Sequence, residues 1–474
     1  MSERIAIIGG GPAGLAAAWC LARDGVPVDV FEAGPTVGGM SRSLSLWGQT
    51  VDVGPHRFFS ADARVNRLWL EVVGPGYRMV ERLTRIHYNG TLFRYPLRFG
   101  DSLPKLGARE AALCVLSYLG RQRSDRDSAA SFEQWVCQSF GRRLYEIFFK
   151  SYSEKVWGVP CTRLDADFAR QRIRKLSMAG AIADMLKSGR GNRHATLVDR
   201  FAYPVGGTGS VYRKMAALVA DNGGTIRLNC PVRHIHGTGD GRFTVDAGGG
   251  SVTCHRVISS MPLTHLVRAL PDVPGYVHVA AQGLRFRNAV VVYLRVANTS
   301  LFPDQWIYVH SPDLQTGRIT NFRNWVPELY GDSPDSIVAL EFWCHGGDET
   351  SARPDAQFAQ MAVDDLRRSG LAGDAPVTGW HVVRVPNCYP VYEIGYRDRV
   401  SVIREFLEKV PGLDAIGRYG AFKYNNQDHS LLMGILAAEN VTRGARHDLW
   451  DVNADDRYRE EAVIDETGLV PRTA

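Results

Sequence analysis

The stretch Arg4-Ile-Ala-Ile-Ile-Gly-Gly-Gly-Pro-Ala-Gly14, followed by Val28-Asp-Val-Phe-Glu32, decides the fold of this chain. It predicts a strand, a glycine-rich turn, a helix and a second strand that ends in an acid. At the spacing of Gly9, Gly11 and Gly14, the first glycine allows a tight turn and the second lets backbone approach a pyrophosphate. The third lets helix and strand pack closely, and free N–H groups at the helix start favour an anion. The stretch therefore predicts a dinucleotide site rather than a plain glycine-rich turn.

An acid and a second glycine pair make this prediction more specific. Glu32 lies where a carboxylate binds a ribose hydroxyl, and the pair Gly38-Gly39 follows soon after it. Such a pair is unusual for a site that binds only a nicotinamide cofactor, and it fits a flavin site in which the chain returns to the diphosphate. We therefore expect FAD, held in this region by the three glycines and by Pro12, Ala13, Glu32, Ala33, Gly38, Gly39, Met40 and Ser41.

Length and composition indicate an ordinary globular enzyme of two or three subdomains. The chain has 474 residues and a net charge of +6, with no basic run of the kind that binds nucleic acid. No apolar run reaches the length of a membrane span, and because the chain starts almost directly in a strand we expect no signal peptide. The eight cysteines include no C-x-x-C pair, which favours reduced thiols in a cytoplasm over disulfides or a metal site.

The order of periodic segments predicts an α/β fold with three parts: a Rossmann-like FAD-binding domain, a helical insert and a mostly antiparallel β-sheet substrate domain. Residues 62–190 show mainly helical periodicity, whereas residues 280–395 are rich in strands. Short strands between residues 225 and 262 are expected to complete the first sheet. The expected boundaries are 1–75, 196–265 and 399–445 for the FAD-binding segments, 76–195 for the insert, 266–398 for the substrate domain and 446–474 for a peripheral tail.

Turns and caps mark several further elements. Residues 43–60 and Arg85–Pro96 predict hairpins, the second turning at Asn89-Gly90. Helical periodicity is clear over Glu110–Gly120 and over Ser131–Lys150. A helix near Ser430–Asn440, with Asp428 or Ser430 as its cap, would give a cofactor a second helix start to meet.

A set of motifs, taken in order, resembles the UDP-galactopyranose mutase family in its eukaryotic-type branch. The resemblance runs from Arg4 to about Val441, and no single motif after the first is specific. The motifs are the N-terminal fingerprint, Gly54-Pro-His-x-x-Phe-Ser60, Lys155-Val-Trp-Gly-Val-Pro160, Tyr203-Pro-x-Gly-Gly-Thr-Gly209, Ser260-Met-Pro262, Tyr389-Pro390, and Gly417-Arg-Tyr-Gly-x-x-x-Tyr424 with Asn426-Gln-Asp-His429.

The resemblance implies a flavin reaction without net oxidation. In that family N5 of reduced FAD acts as a nucleophile at the anomeric carbon of a nucleotide sugar, and the nucleoside diphosphate leaves and returns around a change of ring size. Such a leaving group needs fixed cations, for which arginine is suited by its planar, permanently charged fork. NADPH or NADH is the implied reductant, and Arg85 and Arg418 match positions near its phosphate.

The resemblance also assigns roles to individual residues. Arg172, fifteen residues after Trp157, and Arg318, twelve after Trp306, match the two diphosphate arginines. His56 matches a histidine whose loop responds to the flavin redox state. The matched substrate residues are Phe59, Tyr95, Arg98, Trp157, Tyr308, Tyr389 and Tyr424, with the two last on the diphosphate and Tyr95 and Arg98 near the nucleobase. The further matched cofactor residues are Gly54, Pro55, Val232, Arg418, Asn426, Gln427, Asp428 and Ser430.

Departures from the family pattern leave the substrate open. Arg98 stands where a neutral amide is usual, the segment from Tyr424 to Gln427 is shorter, and Lys423 and the pair Phe58-Phe59 differ. Galactose and uridine are therefore default choices. The alternative function is a true redox enzyme of the flavin amine oxidase or desaturase type, which shares the first forty residues but has no use for two diphosphate arginines. A flavoprotein that serves only as a binding partner is a third possibility.

Overall fold

The computed structural model describes residues 4–97, 99–121, 128–173 and 200–453, and for residues 99–101 and 171–173 it describes the backbone alone. The chain forms two compact units, each assembled from separate stretches. The first unit comprises Met1–Val80, Phe201–Phe286 and Tyr396–Ala474, and the second comprises Glu81–Arg200 and Arg287–Gly395.

Runs of strands and runs of helices follow one another along the described ranges. The strands are β1 Ile5–Ile8, β2 Val28–Phe31, β3 Ser43–Leu46, β4 Gln49–Asp52, β5 Tyr77–Glu81, β6 Thr84–Tyr88, β7 Thr91–Arg94, β8 Arg200–Pro204, β9 Thr225–Arg227, β10 Val232–Gly237, β11 Phe243–Ala247, β12 Gly250–Cys254, β13 Arg256–Ser259, β14 Phe286–Val296, β15 Trp306–Val309, β16 Arg318–Asn321, β17 Ser336–Cys344, β18 Val377–Pro390 and β19 Leu413–Ala415. The helices are α1 Pro12–Arg23, α2 Ala63–Val73, α3 Phe99–Lys105, α4 Ala108–Leu119, α5 Phe132–Phe140, α6 Arg142–Leu144, α7 Ser151–Trp157, α8 Ala166–Ile173, α9 Thr208–Asp221, α10 Leu263–Ala269, α11 Gly275–Gln282, α12 Glu349–Ala352, α13 Asp355–Arg368, α14 Tyr396–Leu407, α15 Gly417–Gly420 and α16 Gln427–Thr442.

The first unit is built on a parallel sheet in the order β19-β13-β1-β2-β9. All four residues of β1 are buried, as expected for a strand covered on both faces. Helix α1 leaves the carboxyl end of β1 through the glycine turn, and β2 returns parallel to β1 with Ile5 opposite Val28. This arrangement is the predicted Rossmann-like core.

Glycines allow the helices of the first unit to pack unusually close to the turn. A Cβ atom on Gly434 of α16 would lie 2.3 Å from the carbonyl oxygen of Ala13 and 2.8 Å from Cβ of Ala16. A Cβ atom on Gly14 would lie 2.0 Å from the carbonyl oxygen of Gly9. The start of α1 is therefore held between the sheet and α16 by contacts that a larger residue would break.

The second unit contains a mixed sheet in the order β18-β14-β17-β16-β15-β6-β7. Its pairs are mainly antiparallel, as predicted, but β15 pairs parallel with β6. The hairpin β6–β7 turns at Asn89 and Gly90, which have φ values of 47° and 75° and so suit a tight hairpin turn. Although the sequence placed this hairpin inside a helical segment, it extends the sheet, because an isolated hairpin is only marginally stable.

The helical segment predicted over Ser131–Lys150 is helical in the structure, with a break at Gly141. Gly141 has φ of 84° and ends α5, and its added Cβ would lie 2.8 Å from the Ser117 carbonyl carbon. Two other local predictions need correction. Strands β10, β11 and β12 form an antiparallel sheet of their own, and only β9 and β13 join the parallel sheet. Strands joined by short hairpins pair antiparallel, which explains this separation. Asn426, rather than Asp428 or Ser430, caps α16.

Two further properties of the described ranges bear on function. None of their helices combines the length and apolar character that crossing a membrane requires. All eight cysteines fall inside these ranges, and each is a free thiol.

Candidate functional site

The glycine turn between β1 and α1, which contains Gly9 and Gly11, lies against the pair Gly38-Gly39. A Cβ atom on Gly39 would come within 3.3 Å of Cα of Gly11, and the N–H of Gly38 donates to the carbonyl of Gly10 at 2.8 Å. Gly9, with φ of 97°, has no room for a side chain, because its Cβ would lie 2.3 Å from Oγ of Ser260. The structure thus brings together the cradle predicted from Gly9 to Ser41, with Met40 and Ser41 in the short helical turn Gly39–Ser41.

Glu32 is held rigidly beside this cradle. Its Oε2 accepts from the N–H of Gly10 at 2.8 Å, and its Oε1 accepts from the N–H of Gly34 at 2.7 Å. Each carboxylate oxygen keeps a second lone pair for a hydroxyl donor. The N–H of Cys230 donates to the carbonyl of Glu32, which attaches the segment leading to Val232.

These features fit a dinucleotide such as FAD. A Cβ atom would fill the space at Gly9 and Gly14, and close approach of a phosphate to backbone needs such positions. Helix α1 starts at Gly11 with no side-chain cap, so its first N–H groups remain available to an anion. A fixed carboxylate at Glu32 completes the set. Pro12, Ala13, Glu32 and Ala33 all lie at this edge of the sheet.

The predicted cofactor residues near the C-terminus reach the same place. Gly417, with φ of 78°, approaches Ala13 so closely that its added Cβ would lie 3.0 Å from the Ala13 Cβ. Gln427, at the start of α16, accepts from the hydroxyl of Tyr212 at 2.6 Å and donates to the carbonyl of Arg57 at 3.3 Å. The capping box of Asn426 and His429 orders this helix start, on which Asp428 and Ser430 also lie.

Hydrogen bonds fix the segment that contains Arg418, at the start of α15, and Tyr424, which follows α15. Nε of Arg418 donates to the carbonyl of Asn425 at 2.7 Å, and its guanidinium lies 4.9 Å from the ring centre of Tyr424. Nζ of Lys423 donates to the carbonyl of Val452 at 2.8 Å, and the Asn453 amide donates to the carbonyl of Tyr424 at 3.2 Å. Lys423, an apparent departure in the sequence, therefore ties the end of the described chain to this segment.

The His56 loop is continuous with the cradle through Arg42. Nη1 of Arg42 donates to the carbonyl of Gly39 at 2.9 Å, and the carbonyl of Arg42 accepts from the N–H of Val53 at 3.1 Å. Nε2 of His56 lies 2.9 Å from the carbonyl of Val53, to which it donates. Gly54 and Pro55 form the turn between them, and Phe59 is buried. Sequence reasoning missed Arg42, for which a cation just after the second glycine pair was the available signal.

In the second unit, Arg318 is paired on one edge by Glu341. Nε of Arg318 donates to Oε1 of Glu341 at 2.6 Å, and Nη2 donates to Oε2 of the same carboxylate. Nη2 also lies 3.4 Å from the hydroxyl of Tyr389, whereas Nη1 has no partner among the described residues. Burial opposes the charge of Arg318, but the Glu341 carboxylate outweighs it and raises the pKa of the guanidinium above its ordinary value. The arginine is thus charged, oriented and open on one side.

An aromatic row runs from Arg318 across the same unit. Tyr389 contacts Trp157 and Trp343, with ring centres 6.1 and 6.4 Å apart. Trp343 leads to Tyr152, which lies 5.6 Å from Tyr308. Tyr308 in turn lies 4.8 Å from Tyr95, which is 37 % exposed. The row therefore comprises Trp157, Tyr389, Trp343, Tyr152, Tyr308 and Tyr95, of which the sequence predicted all but Trp343 and Tyr152.

Two buried polar side chains, His310 and Lys155, fix the part of the aromatic row that contains Tyr152 and Tyr308. His310 stacks on Tyr152 with ring centres 4.6 Å apart, and burial lowers the pKa of His310 to about 3, so this ring is neutral near pH 7. Nζ of Lys155 donates to the carbonyls of Ser311 at 2.6 Å and Val309 at 3.3 Å. Burial lowers the pKa of Lys155 to about 8. The strand that carries Tyr308 is therefore fixed at its end by a buried cation.

The remaining arginines singled out in the sequence lie in different surroundings. The backbone of Arg172 lies in α8, while its side chain and the whole of Arg98 lie outside the described residues. Arg85 donates to the buried carboxylate of Asp304 through Nε at 2.8 Å, so it serves an internal ion pair. Arg170, the neighbour of Arg172, is held by Asp167 at 2.9 Å within the same helix.

Comparison with known proteins connects this geometry to flavoproteins. A family model described as flavin containing amine oxidoreductase matches residues 12–441. Over 178 residues the chain is 27% identical to a probable UDP-galactopyranose mutase of Klebsiella pneumoniae, covering 36% of this chain and 45% of that protein. Over 167 residues it is 29% identical to a zeta-carotene desaturase of Zea mays, covering 30% and 29%. The matches thus span less than half the length of these curated relatives.

Solved structures are similar over nearly the whole chain. A crystal structure of reduced UDP-galactopyranose mutase has a TM-score of 0.84 at 21% identity, with 98% of this chain and 99% of that chain covered. A putative protoporphyrinogen oxidase from Exiguobacterium has a TM-score of 0.73 at 19% identity, with 94% and 100% covered. A putrescine oxidase bound to putrescine has a TM-score of 0.64 at 18% identity, with 94% and 99% covered. At these identities the likeness shows the fold alone, and it confirms the predicted α/β flavoprotein class.

Proposed function

This chain belongs to the flavin-containing amine oxidoreductase family, and we propose that within it the protein is a nucleotide-sugar mutase. The proposed reaction interconverts pyranose and furanose forms of the sugar with reduced FAD, as in UDP-galactopyranose mutase. The observation that carries this proposal is Arg318, which Glu341 holds through Nε and Nη2. Nη2 also lies 3.4 Å from the hydroxyl of Tyr389, and Nη1 has no partner among the described residues. An amine or alkene substrate offers no negative charge for such a group.

Arg318 and Tyr389 suit a diphosphate that must leave and return. Negative charge grows on the diphosphate as its bond to the sugar breaks, and donors fixed in advance stabilise that charge without reorganising. The Glu341 pair fixes the Arg318 fork, and Tyr389 adds a hydroxyl donor 3.4 Å from it. Because both groups stay in place while the sugar changes ring size, they would retain the diphosphate for recapture. Arg172 is the proposed second cation.

The aromatic row suits the nucleoside end of such a substrate. Tyr308 and Tyr95 form a half-open pair with ring centres 4.8 Å apart, and aromatic faces bind any base by stacking. Uridine diphosphate galactose is the default substrate within this proposal. Stacking alone does not select a base, so Arg98 is assigned the choice of nucleobase.

The first unit would hold the cofactor through its own groups. The cradle of Gly9, Gly11 and Gly39 would take the diphosphate of FAD, and Glu32 its ribose. When bound in its reduced form, FAD supplies a nucleophilic N5 atom for the anomeric carbon. Within the proposal His56 lies on the loop that adjusts to the reduced state, and NADPH or NADH provides the reduction.

The second candidate function is oxidation of an amine or alkene, favoured by the desaturase relative and by the putrescine oxidase structure. Such an enzyme would pass electrons from its substrate through FAD to an acceptor. It would therefore consume oxygen or another oxidant in proportion to product, which a mutase does not do.

Product analysis under anaerobic conditions tests the proposal. The purified protein is reduced with dithionite and incubated with a panel of nucleotide sugars, and the products are separated by chromatography. We expect an isomer of one nucleotide sugar from reduced protein and none from oxidised protein. If reduced protein isomerises no member of the panel but oxidised protein consumes oxygen with an amine or alkene, the oxidase alternative replaces the proposal.

A further inference from the structure

A buried carboxylate in the first unit accepts hydrogen bonds around the glycine-rich turn that leads into α9 and contains Gly207 and Gly209. This turn is distinct from the cofactor cradle. Asp52, at the end of β4, is fully buried. It accepts from the hydroxyls of Ser43 at 2.6 Å and Tyr203 at 2.8 Å and from the N–H of Thr208 at 3.1 Å. Burial raises the pKa of Asp52 to about 6. A carboxylate in such a place needs donors, and these donors come from three different elements.

The glycines of this turn let the start of α9 sit directly on β3 and β4. Gly207 has φ of 76°, and its added Cβ would lie 2.6 Å from Oγ of Ser43. An added Cβ on Gly209 would lie 2.3 Å from the backbone nitrogen of Ser43, whose Oγ accepts from the N–H of Gly209 at 2.8 Å. Thr208 therefore lies between two glycines that both pack against Ser43, and its N–H donates to Asp52.

Thr208 passes this constraint to the His56 loop. Oγ1 of Thr208 donates to the carbonyl of His56 at 3.1 Å, and Thr208 is only 2 % exposed. At the other end of the loop the His56 ring donates to the carbonyl of Val53. Gly54, with φ of 92°, lets the chain turn between these two anchors.

We infer that Thr208 is a positioning residue that sets the conformation of the His56 loop next to bound FAD. Asp52 fixes the amide of Thr208, and the hydroxyl of Thr208 fixes the peptide carbonyl of His56. Loss of this hydroxyl frees the carbonyl and lets the loop rotate while the cradle at Gly9–Gly39 stays intact. The inference rests on the proposed function only in assuming that FAD is the cofactor beside this loop.

Three variants separate positioning from general stability. Thr208→Val keeps the shape but removes the donor, and Thr208→Ser restores the donor. Ser210→Ala is the matched control, because Oγ of Ser210 donates at 2.6 Å to the carbonyl of Gly207 in the same turn and not to His56. Tyr203→Phe removes one donor from Asp52, the carboxylate that fixes the N–H of Thr208, and replaces Thr208→Val as the test variant if that protein fails to fold.

The readouts are FAD content, the visible circular dichroism of the bound flavin and its reduction potential. We expect Thr208→Val to bind FAD at full stoichiometry, with an altered dichroism spectrum and a shifted potential. Thr208→Ser and Ser210→Ala should match the unmodified protein, and Tyr203→Phe should show a smaller shift of the same sign. Where turnover is measurable, kcat should fall about tenfold in Thr208→Val with KM unchanged, as expected for loss of one hydrogen bond.

The positioning role of Thr208 and the mutase activity can be rejected separately. Identical spectra and potentials for Thr208→Val and the unmodified protein would overturn the positioning role, even if nucleotide sugars are isomerised. Equal changes in Thr208→Val and Ser210→Ala would also overturn it, because the effect would then belong to the turn as a whole. A shifted flavin potential without any isomerase activity would leave the positioning role in place and reject the mutase.

Discussion

Arg318 and Glu341 face each other on the neighbouring antiparallel strands β16 and β17, and the carboxylate accepts from Nε and Nη2 of the guanidinium. Within the described ranges Nη1 has no partner. The two groups are 14 % and 3 % exposed in their side chains. An unpaired arginine at such a depth would be costly, whereas a paired one is oriented before any ligand arrives. The relationship explains how a buried site can present a fixed positive edge.

Replacing Arg318 by lysine should remove most of the proposed activity. A single ammonium cannot hold the Glu341 carboxylate and face a diphosphate at the same time. Losing one charge-assisted partner of a desolvated charge costs about 2–5 kcal/mol, so we expect kcat/KM to fall by about thirtyfold or more. The measurement is anaerobic turnover with reduced protein, together with calorimetric binding of the nucleoside diphosphate.

Arg295→Lys is the matched control for that prediction. Arg295 lies in the same sheet and donates through Nε to Asp335 at 2.6 Å, in a pair outside the aromatic row. Its replacement should leave turnover and binding unchanged. Equal losses in both variants would show that the effect comes from general disturbance of the sheet.

The Arg318–Glu341 pair should contribute more to the proposed activity than to the free energy of unfolding. Glu341→Leu alone should lower the free energy of unfolding by about 3–5 kcal/mol, because it leaves a buried cation unpaired. The double variant Glu341→Leu with Arg318→Met should recover most of that loss but not the activity. Urea unfolding of the three proteins measures this, and a double variant less stable than Glu341→Leu would contradict it.

Gly14→Ala should impair both folding and FAD binding. The added Cβ would lie 2.0 Å from the carbonyl oxygen of Gly9, so helix and turn must separate. Overpacking of this kind costs about 1–3 kcal/mol, and we expect FAD content after purification to drop. Gly275→Ala is the control, since no atom lies within 4 Å of its added Cβ. Full FAD content in Gly14→Ala would contradict the cradle geometry.

The buried Lys155 predicts a distinct pH dependence of stability. Burial lowers its pKa from 10.5 to about 8, so the folded state binds this proton less tightly than the unfolded chain. The resulting loss of stability is complete below about pH 8 and disappears as pH rises towards 10.5. It amounts to about 3 kcal/mol at 1.36 kcal/mol per pKa unit. Urea unfolding between pH 7 and 10 should show this rise relative to Lys155→Met, and parallel curves for the two proteins would contradict it.

Local motifs predicted the first unit well because their chemistry lies within short stretches of chain. Gly9, Gly11 and Gly14 are recognisable by spacing alone, and the strands on either side share an apolar pattern. The start of α16 was placed three residues late, at Ser430 instead of Gln427, so Asn426 was taken for a cofactor residue and not also for the cap. Boundaries of this kind depend on backbone geometry that composition does not specify.

Contacts between residues that lie far apart in the sequence could not be predicted in the same way. Glu341 lies in an apolar strand where its sequence neighbours reveal no partner, and it meets Arg318 only because β16 pairs with β17 in one register. Tyr152 and Trp343 likewise enter the aromatic row through the fold, with Gly317 leaving the space that Trp343 fills. The resemblance to a family named Arg318 and Tyr389 as candidate site residues, whereas the carboxylate that orients the arginine is visible only in the structure.

Positional isotope exchange reports directly whether the diphosphate leaves the sugar and returns, as the proposed mutase reaction requires. A nucleotide sugar labelled with a heavy oxygen isotope between the anomeric carbon and the β-phosphorus is incubated with reduced protein under anaerobic conditions. We expect phosphorus NMR to show the label redistributed to the terminal oxygens of the β-phosphate, with none redistributed in oxidised protein and redistribution about thirtyfold slower or more in Arg318→Lys. A label that stays in the bridging position, in a nucleotide sugar that the protein binds, would contradict the proposed reaction.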